Sequence, residues 1–141
     1  MRKLIGSLFG IAVLAGALLA GSQSQAQVKQ GKTRPLTTKQ LMGGLVGPQC
    51  KELGAMLQGA GPADDKAWEM AGTKAALLNE SGHTLMADGR CPDATWKGAC
   101  DTLQNCSKVL LEKVAAKDAS GAREAFTAMT GSCKSCHAAH K

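Results

Sequence analysis

Proline and glycine cut this chain into lengths that suit only one kind of element. Gly59-Ala-Gly-Pro-Ala-Asp-Asp65 forms one break, Asp88-Gly-Arg-Cys-Pro-Asp93 a second, and Asp118 stands ready to cap a further segment. The stretches between them run for twenty residues or more, with apolar side chains recurring at helical spacing and no alternating pattern of strands. Thr37 predicts a helix start, because Gln40 lies three residues on, as in a capping box. Leu41, Met42, Leu45, Leu53 and Met56 share a face of this first helix. Gly43, Gly44, Gly47 and Pro48 interrupt it. An internal proline costs about 3 kcal/mol and frees the carbonyl four residues back, so a kink or split is expected near Gly47. The second helix is predicted over 63–87, with Pro62 at its start and Trp68, Ala71, Ala75, Leu78, Leu85 and Met86 facing inward. The third is predicted over 92–116, with Trp96, Leu103, Leu110 and Val114 on one stripe, and the fourth follows Asp118. The expected fold is all-α, an antiparallel four-helix bundle.

Ahead of these helices, Arg2 and Lys3 precede an uncharged apolar run, and Ser24 and Ala26 give a small-x-small pattern. That is the layout of a secretory signal peptide at 1–26, and the expected location is the periplasm. A flexible leader is expected at 27–36 and the helical domain at 37–141, with no stable membrane anchor after cleavage. Removing Arg2 and Lys3 takes the net charge from +6 to +4. No cluster of basic residues interleaved with aromatics appears, so nucleic acid is not an expected partner.

After residue 26 the aromatics are Trp68, Trp96 and Phe126, and tyrosine is absent. Rings usually fill part of a core of this size. Either alanine, leucine and methionine fill it here, or another molecule supplies a large flat hydrophobe. The end of the last helix bears on this choice. It reads Cys133-Lys-Ser-Cys-His-Ala-Ala-His-Lys141. At about 100° per residue, Cys133, Cys136, His137 and His140 fall on the inward face with Phe126. C-x-x-C-H is a c-type haem attachment pattern. Two thiols three apart can each form a thioether to one porphyrin edge, and the next histidine then lies under the iron. Three rivals use the same residues. Zinc finds four ligands of suitable kinds, although adjacent Cys136 and His137 aim poorly at one ion. A redox C-x-x-C belongs at a helix start in a βαβ context, which is missing. A Cys133–Cys136 disulfide leaves His137 unexplained.

With the motif in the last of four helices, the chain over 37–141 resembles the class II c-type cytochromes, the cytochrome c-prime family and its low-spin relatives. The resemblance implies one covalent haem c held by Cys133, Cys136 and His137, with electron transfer and no enzymatic activity. It also implies redox partner proteins; the alternative partners are small gases such as NO and CO bound to a five-coordinate iron, and a homodimer is a further association to be tested. The family often follows the histidine with x-x-Tyr-Arg or x-x-Tyr-Lys. Here His140 replaces the tyrosine, and Lys141 keeps the charge that can offset a haem propionate. In low-spin members a first-helix methionine in a K-x-M-like context is the second iron ligand. Lys39-Gln-Leu-Met42 is similar, so Met42 is the candidate, with Gly43 and Gly44 leaving room for a porphyrin against the backbone. Thr38 stands where many members have an arginine. The opposing expectation is that Met42 is packed core. His83 is expected at the surface, and His140 cannot oppose His137 from the same helix.

Cys50, Cys91, Cys100 and Cys106 remain. An exported chain favours bridges. Cys100 and Cys106 lie about 9 Å apart by helical rise, beyond disulfide reach. Cys50 after the kink and Cys91 in the turn are the expected pair, adding on the order of 4 kcal/mol.

Overall fold

The structure is a computed structural model that describes residues 30–141; the expected signal peptide at 1–26 lies outside the described residues. The described chain is all-α. It contains helix α1 (Thr38–Leu41), a π-helical turn (Met42–Val46), and helices α2 (Gly47–Met56), α3 (Asp65–Met86), α4 (Ala94–Ala115) and α5 (Ala119–His140). No strand occurs among the described residues, only a single bridge between Gln30 and Thr37.

The capping box forms as the sequence predicts. Thr37 Oγ1 accepts the Gln40 N–H at 3.2 Å, and Gln40 Oε1 accepts the Thr37 N–H at 2.8 Å. The break near Gly47 takes the form of a π turn. Pro48 has no N–H to give to the Gly44 carbonyl, and the backbone absorbs the fault by widening one turn. The Gly47 N–H reaches back five residues to the Met42 carbonyl. Backbone angles at the junctions stay helical, so α1, the π turn and α2 make one continuous rod. A Cβ at Gly47 would stand 3.0 Å from the Met42 carbonyl oxygen, which is backbone and cannot swing aside. Gly47→Ala is therefore expected to destabilise the fold by roughly 1–2 kcal/mol, because crowding of about 1–3 kcal/mol outweighs the helix gain of up to about 1 kcal/mol. Thermal melts would show this as a lower Tm; an unchanged or raised Tm would contradict it.

The other three helices start at aspartates. Asp64, Asp93 and Asp118 accept the backbone N–H groups of Ala67, Trp96 and Gly121 at 2.8, 2.9 and 2.9 Å. These caps set α3 and α4 two residues later than the starts predicted at 63 and 92. Consecutive helices pack together: the π turn and α2 on α3, α3 on α4, and α4 on α5. The predicted stripes are the core. Ala71, Ala75, Leu78 and Leu85 of α3 are buried with Trp96, Leu103, Leu110 and Val114 of α4, while Trp68 and Met86 are half-buried. Small side chains let the rods approach closely: a Cβ on Gly54 would come within 3.0 Å of the Phe126 ring.

Two expectations are corrected. The polar stretch ahead of α1 is bonded to the α3–α4 turn: Asp88 O accepts the Lys32 N–H at 3.1 Å, and Arg90 Nη1 donates to Leu36 O at 2.8 Å. The Cys50–Cys91 bridge is not formed, and all six described cysteines are free thiols. Cys50 lies on α2, within the rod. Its thiol instead lies near enough to Cys133 for the two to repel when charged, whereas Cys91 lies near Cys100. Cys100 and Cys106 sit on one unbroken helix and do not pair, as expected.

Candidate functional site

One end of the molecule is hollow. An inner cavity of about 50 Å³ is lined from all four rods: Met42 and Val46 of the π turn, Leu85 of α3, Trp96, Ala99, Cys100 and Leu103 of α4, and Ser132, Cys133, Cys136 and His137 of α5. An outer cavity of about 320 Å³ is lined by Thr38, Lys39, Met42, Gly43, Trp96, Cys136, His137, His140 and Lys141. Met42, Trp96, Cys136 and His137 line both, so the two are parts of one slot between the π turn and α5. The outer part falls at the low end of sites for small molecules and cofactors, roughly 300–1,000 Å³, and the inner part is a narrow extension of it.

The four residues expected on the inward face of α5 divide. Cys136 is buried, Cys133 and His140 are half-buried, and His137 is exposed at the edge of the slot. The slot's back wall is fixed by hydrogen bonds. Trp96 Nε1 donates to Leu85 O at 2.9 Å, which holds the indole in place. His140 sets its ring edge-on to Trp96 at 5.4 Å, and its Nε2 lies 3.4 Å from Asp93 Oδ1. Asp93 already caps α4 through the Trp96 N–H. His140 Nε2 makes no hydrogen bond, so the last turn of α5 meets the start of α4 here through the edge-on packing of His140 on Trp96. His83 is exposed on α3, as expected.

The donor set fits a porphyrin better than a bare ion. Two thiols and an imidazole stand on one wall, and the Met42 thioether also lines the slot. Gly43 lines the outer cavity, and a Cβ there would meet nothing within 4 Å, so its absence leaves room for a ligand. Gly44 is exposed and does not line the slot. Among the described residues no three His, Cys, Asp or Glu side chains are grouped to hold a metal ion by themselves. The zinc alternative therefore finds no ready ligand cluster among the described residues. A porphyrin asks the protein only for axial ligands.

The thiols also lack the character of a redox pair. Burial pushes the Cys133 thiol up, and burial, then Cys133 and Asp93, push Cys136 up. Reactive C-x-x-C cysteines have lowered pKa values instead. Cys100 is raised furthest, to about 12, by burial first and then by Cys136, Cys91 and Asp101. It is a protonated, inert part of the wall.

Comparison with family models, with characterised proteins and with solved structures finds no match to this chain. Lining residues that the sequence did not single out include Lys39, Val46 and Cys100. Lys39 was within reach: it lies one turn before Met42 and Gly43, so it belongs to the same helical face.

Proposed function

We propose that this chain is an exported c-type cytochrome, an antiparallel four-helix bundle carrying one haem c in the slot and passing electrons in the periplasm. The observation that carries the proposal is that Met42, Cys133, Cys136 and His137 line a single, almost wholly apolar cavity. When bound, the haem supplies a one-electron centre. Cys133 and Cys136 would hold it by thioethers and His137 would be the proximal ligand. Met42 would be the second axial ligand, and a thioether in that place favours the reduced state relative to a second imidazole. Val46, Leu85, Trp96 and Leu103 keep water from the inner part of the slot. Lys39 and Lys141, which line the outer part, place positive charge where porphyrin carboxylates would emerge. The partners are redox proteins, and the chain is not an enzyme.

The deciding test is a spectrum. The denatured protein in alkaline pyridine is expected to show a c-type haemochrome, and the intact mass to rise by one haem. A colourless protein with stoichiometric zinc would end the proposal. A second function has support in the apolar inner cavity, which suits a diatomic gas. In that case the iron is five-coordinate and Met42 only walls the slot.

A further inference from the structure

Helix α1 has four residues before the π turn begins. It is the first turn of the continuous rod that runs through the π turn into α2, and first turns open most readily. Yet Thr38, Lys39 and Met42, which line the slot, depend on it. What holds it is a clamp in the α3–α4 turn. Asp88 takes a positive φ of 58°, a conformation that aspartate tolerates better than most residues. That turns its carboxylate onto the segment ahead of α1. Asp88 Oδ1 accepts the Thr33 N–H at 2.9 Å and the Thr33 hydroxyl at 3.0 Å, and Oδ2 accepts the Arg34 N–H at 3.0 Å. Arg90, wholly buried, donates from Nη1 to Leu36 O at 2.8 Å and places Nη2 4.0 Å from Asp88 Oδ2. Gly31 completes the fit, because a Cβ there would overlap Asp88 Oδ2 and stand 2.7 Å from Arg90 Nη2. Burial alone would raise the Asp88 carboxyl. The bonds from Arg34 and Thr33 and the charge of Arg90 outweigh it and hold the group below its usual value, so it is ionised and accepts through both oxygens.

We propose that Asp88 and Arg90 are positioning residues for the slot: by fixing residues 31–36 they set where α1 enters, and so hold Met42 and Lys39 at its mouth. A clamp that served only the chain end would leave residues beyond the Thr37 cap indifferent to its loss. Here α1 runs without a break into the π turn that bears Met42, so slack at the clamp is passed to the slot. The link to Met42 rests on the function proposed above, and the experiment separates the two.

The test uses the full-length haem-bearing protein with Asp88→Ala, with the conservative Asp88→Asn, and with Gly31→Ala, which displaces the leader and leaves Asp88 and Arg90 in place. Amide hydrogen exchange is followed over residues 38–46 and, as an internal reference, in α4. The ferric methionine–iron charge-transfer band and the rate of carbon monoxide uptake by the ferrous protein are recorded on the same samples. Asp88→Ala and Gly31→Ala are expected to speed exchange over 38–46 at least tenfold relative to α4, weaken the band and quicken carbon monoxide uptake. Asp88→Asn, which keeps one acceptor oxygen, should fall between these and the parent. Unchanged exchange over 38–46 in both Asp88→Ala and Gly31→Ala would overturn the clamp. Faster exchange with an unaltered band and uptake would overturn its link to the slot. A parent protein that lacks the band and takes up carbon monoxide freely would remove Met42 as ligand, and with it that link, while the exchange data alone would still decide the clamp.

Discussion

Replacing both Cys133 and Cys136 by alanine is expected to leave a protein from which acid–acetone extraction removes every trace of haem, where the parent keeps all of it. The two thiols are three residues apart on α5 and both line the inner cavity, Cys136 buried and Cys133 half-buried. Each is positioned to form one covalent bond to a ligand in the slot. With both removed, only axial coordination and apolar contact remain, and these are reversible. Either single replacement leaves one thioether, so haem should survive extraction in both single variants, with the haemochrome band displaced from its position in the parent. Quantitative retention of haem by the double variant would show that Cys133 and Cys136 do not hold it. A parent that holds no haem would refute the assignment itself.

Met42→Ala is expected to change the iron's coordination altogether. The Met42 side chain is half-buried, lines both parts of the slot, and belongs to the one turn of the rod that departs from α-helical bonding. If it binds iron, the ferric parent shows the weak methionine–iron charge-transfer band, and the ferrous parent resists carbon monoxide because methionine competes for the same site. Removing the competitor raises apparent gas affinity by the inverse of the open fraction, roughly a hundredfold if about 1% of the parent is open. The variant should lose the band, become high-spin and bind carbon monoxide stoichiometrically. The gas-binding alternative expects a parent that already behaves this way, with Met42→Ala altering only packing. A parent without the band and with free carbon monoxide uptake would therefore assign the protein to gas binding and Met42 to the wall.

Much of the site was legible because it is local. Cysteine and histidine spacing on one helix depends on helical pitch alone, and Cys133, Cys136 and His137 line one cavity together. What spacing could not give was depth. His137 and Cys136 are neighbours in sequence and both line the slot, yet one is exposed and the other buried. Cys50 and Cys91 were paired from a break and a turn read in the sequence, and the structure leaves both as free thiols.

The sequence by itself determined where helices can start and stop, since caps and breaks act within four residues. The Thr37–Gln40 box, the Asp118 cap and the stripe from Trp96 to Val114 needed no knowledge of the fold, whereas the caps at Asp64 and Asp93 lie past the starts that Pro62 and Pro92 suggested. It also determined which chemistry the last helix can offer. Only the tertiary structure decided what that chemistry faces. Lys39, Met42 and Gly43 come to the slot from a segment about ninety residues away from the C-x-x-C-H motif. They are placed there by helix packing and by a carboxylate and a buried guanidinium more than fifty residues along the chain from the backbone they hold. Contacts at such separation leave no periodic trace in the sequence, because the residues that make them share neither a helix face nor a turn.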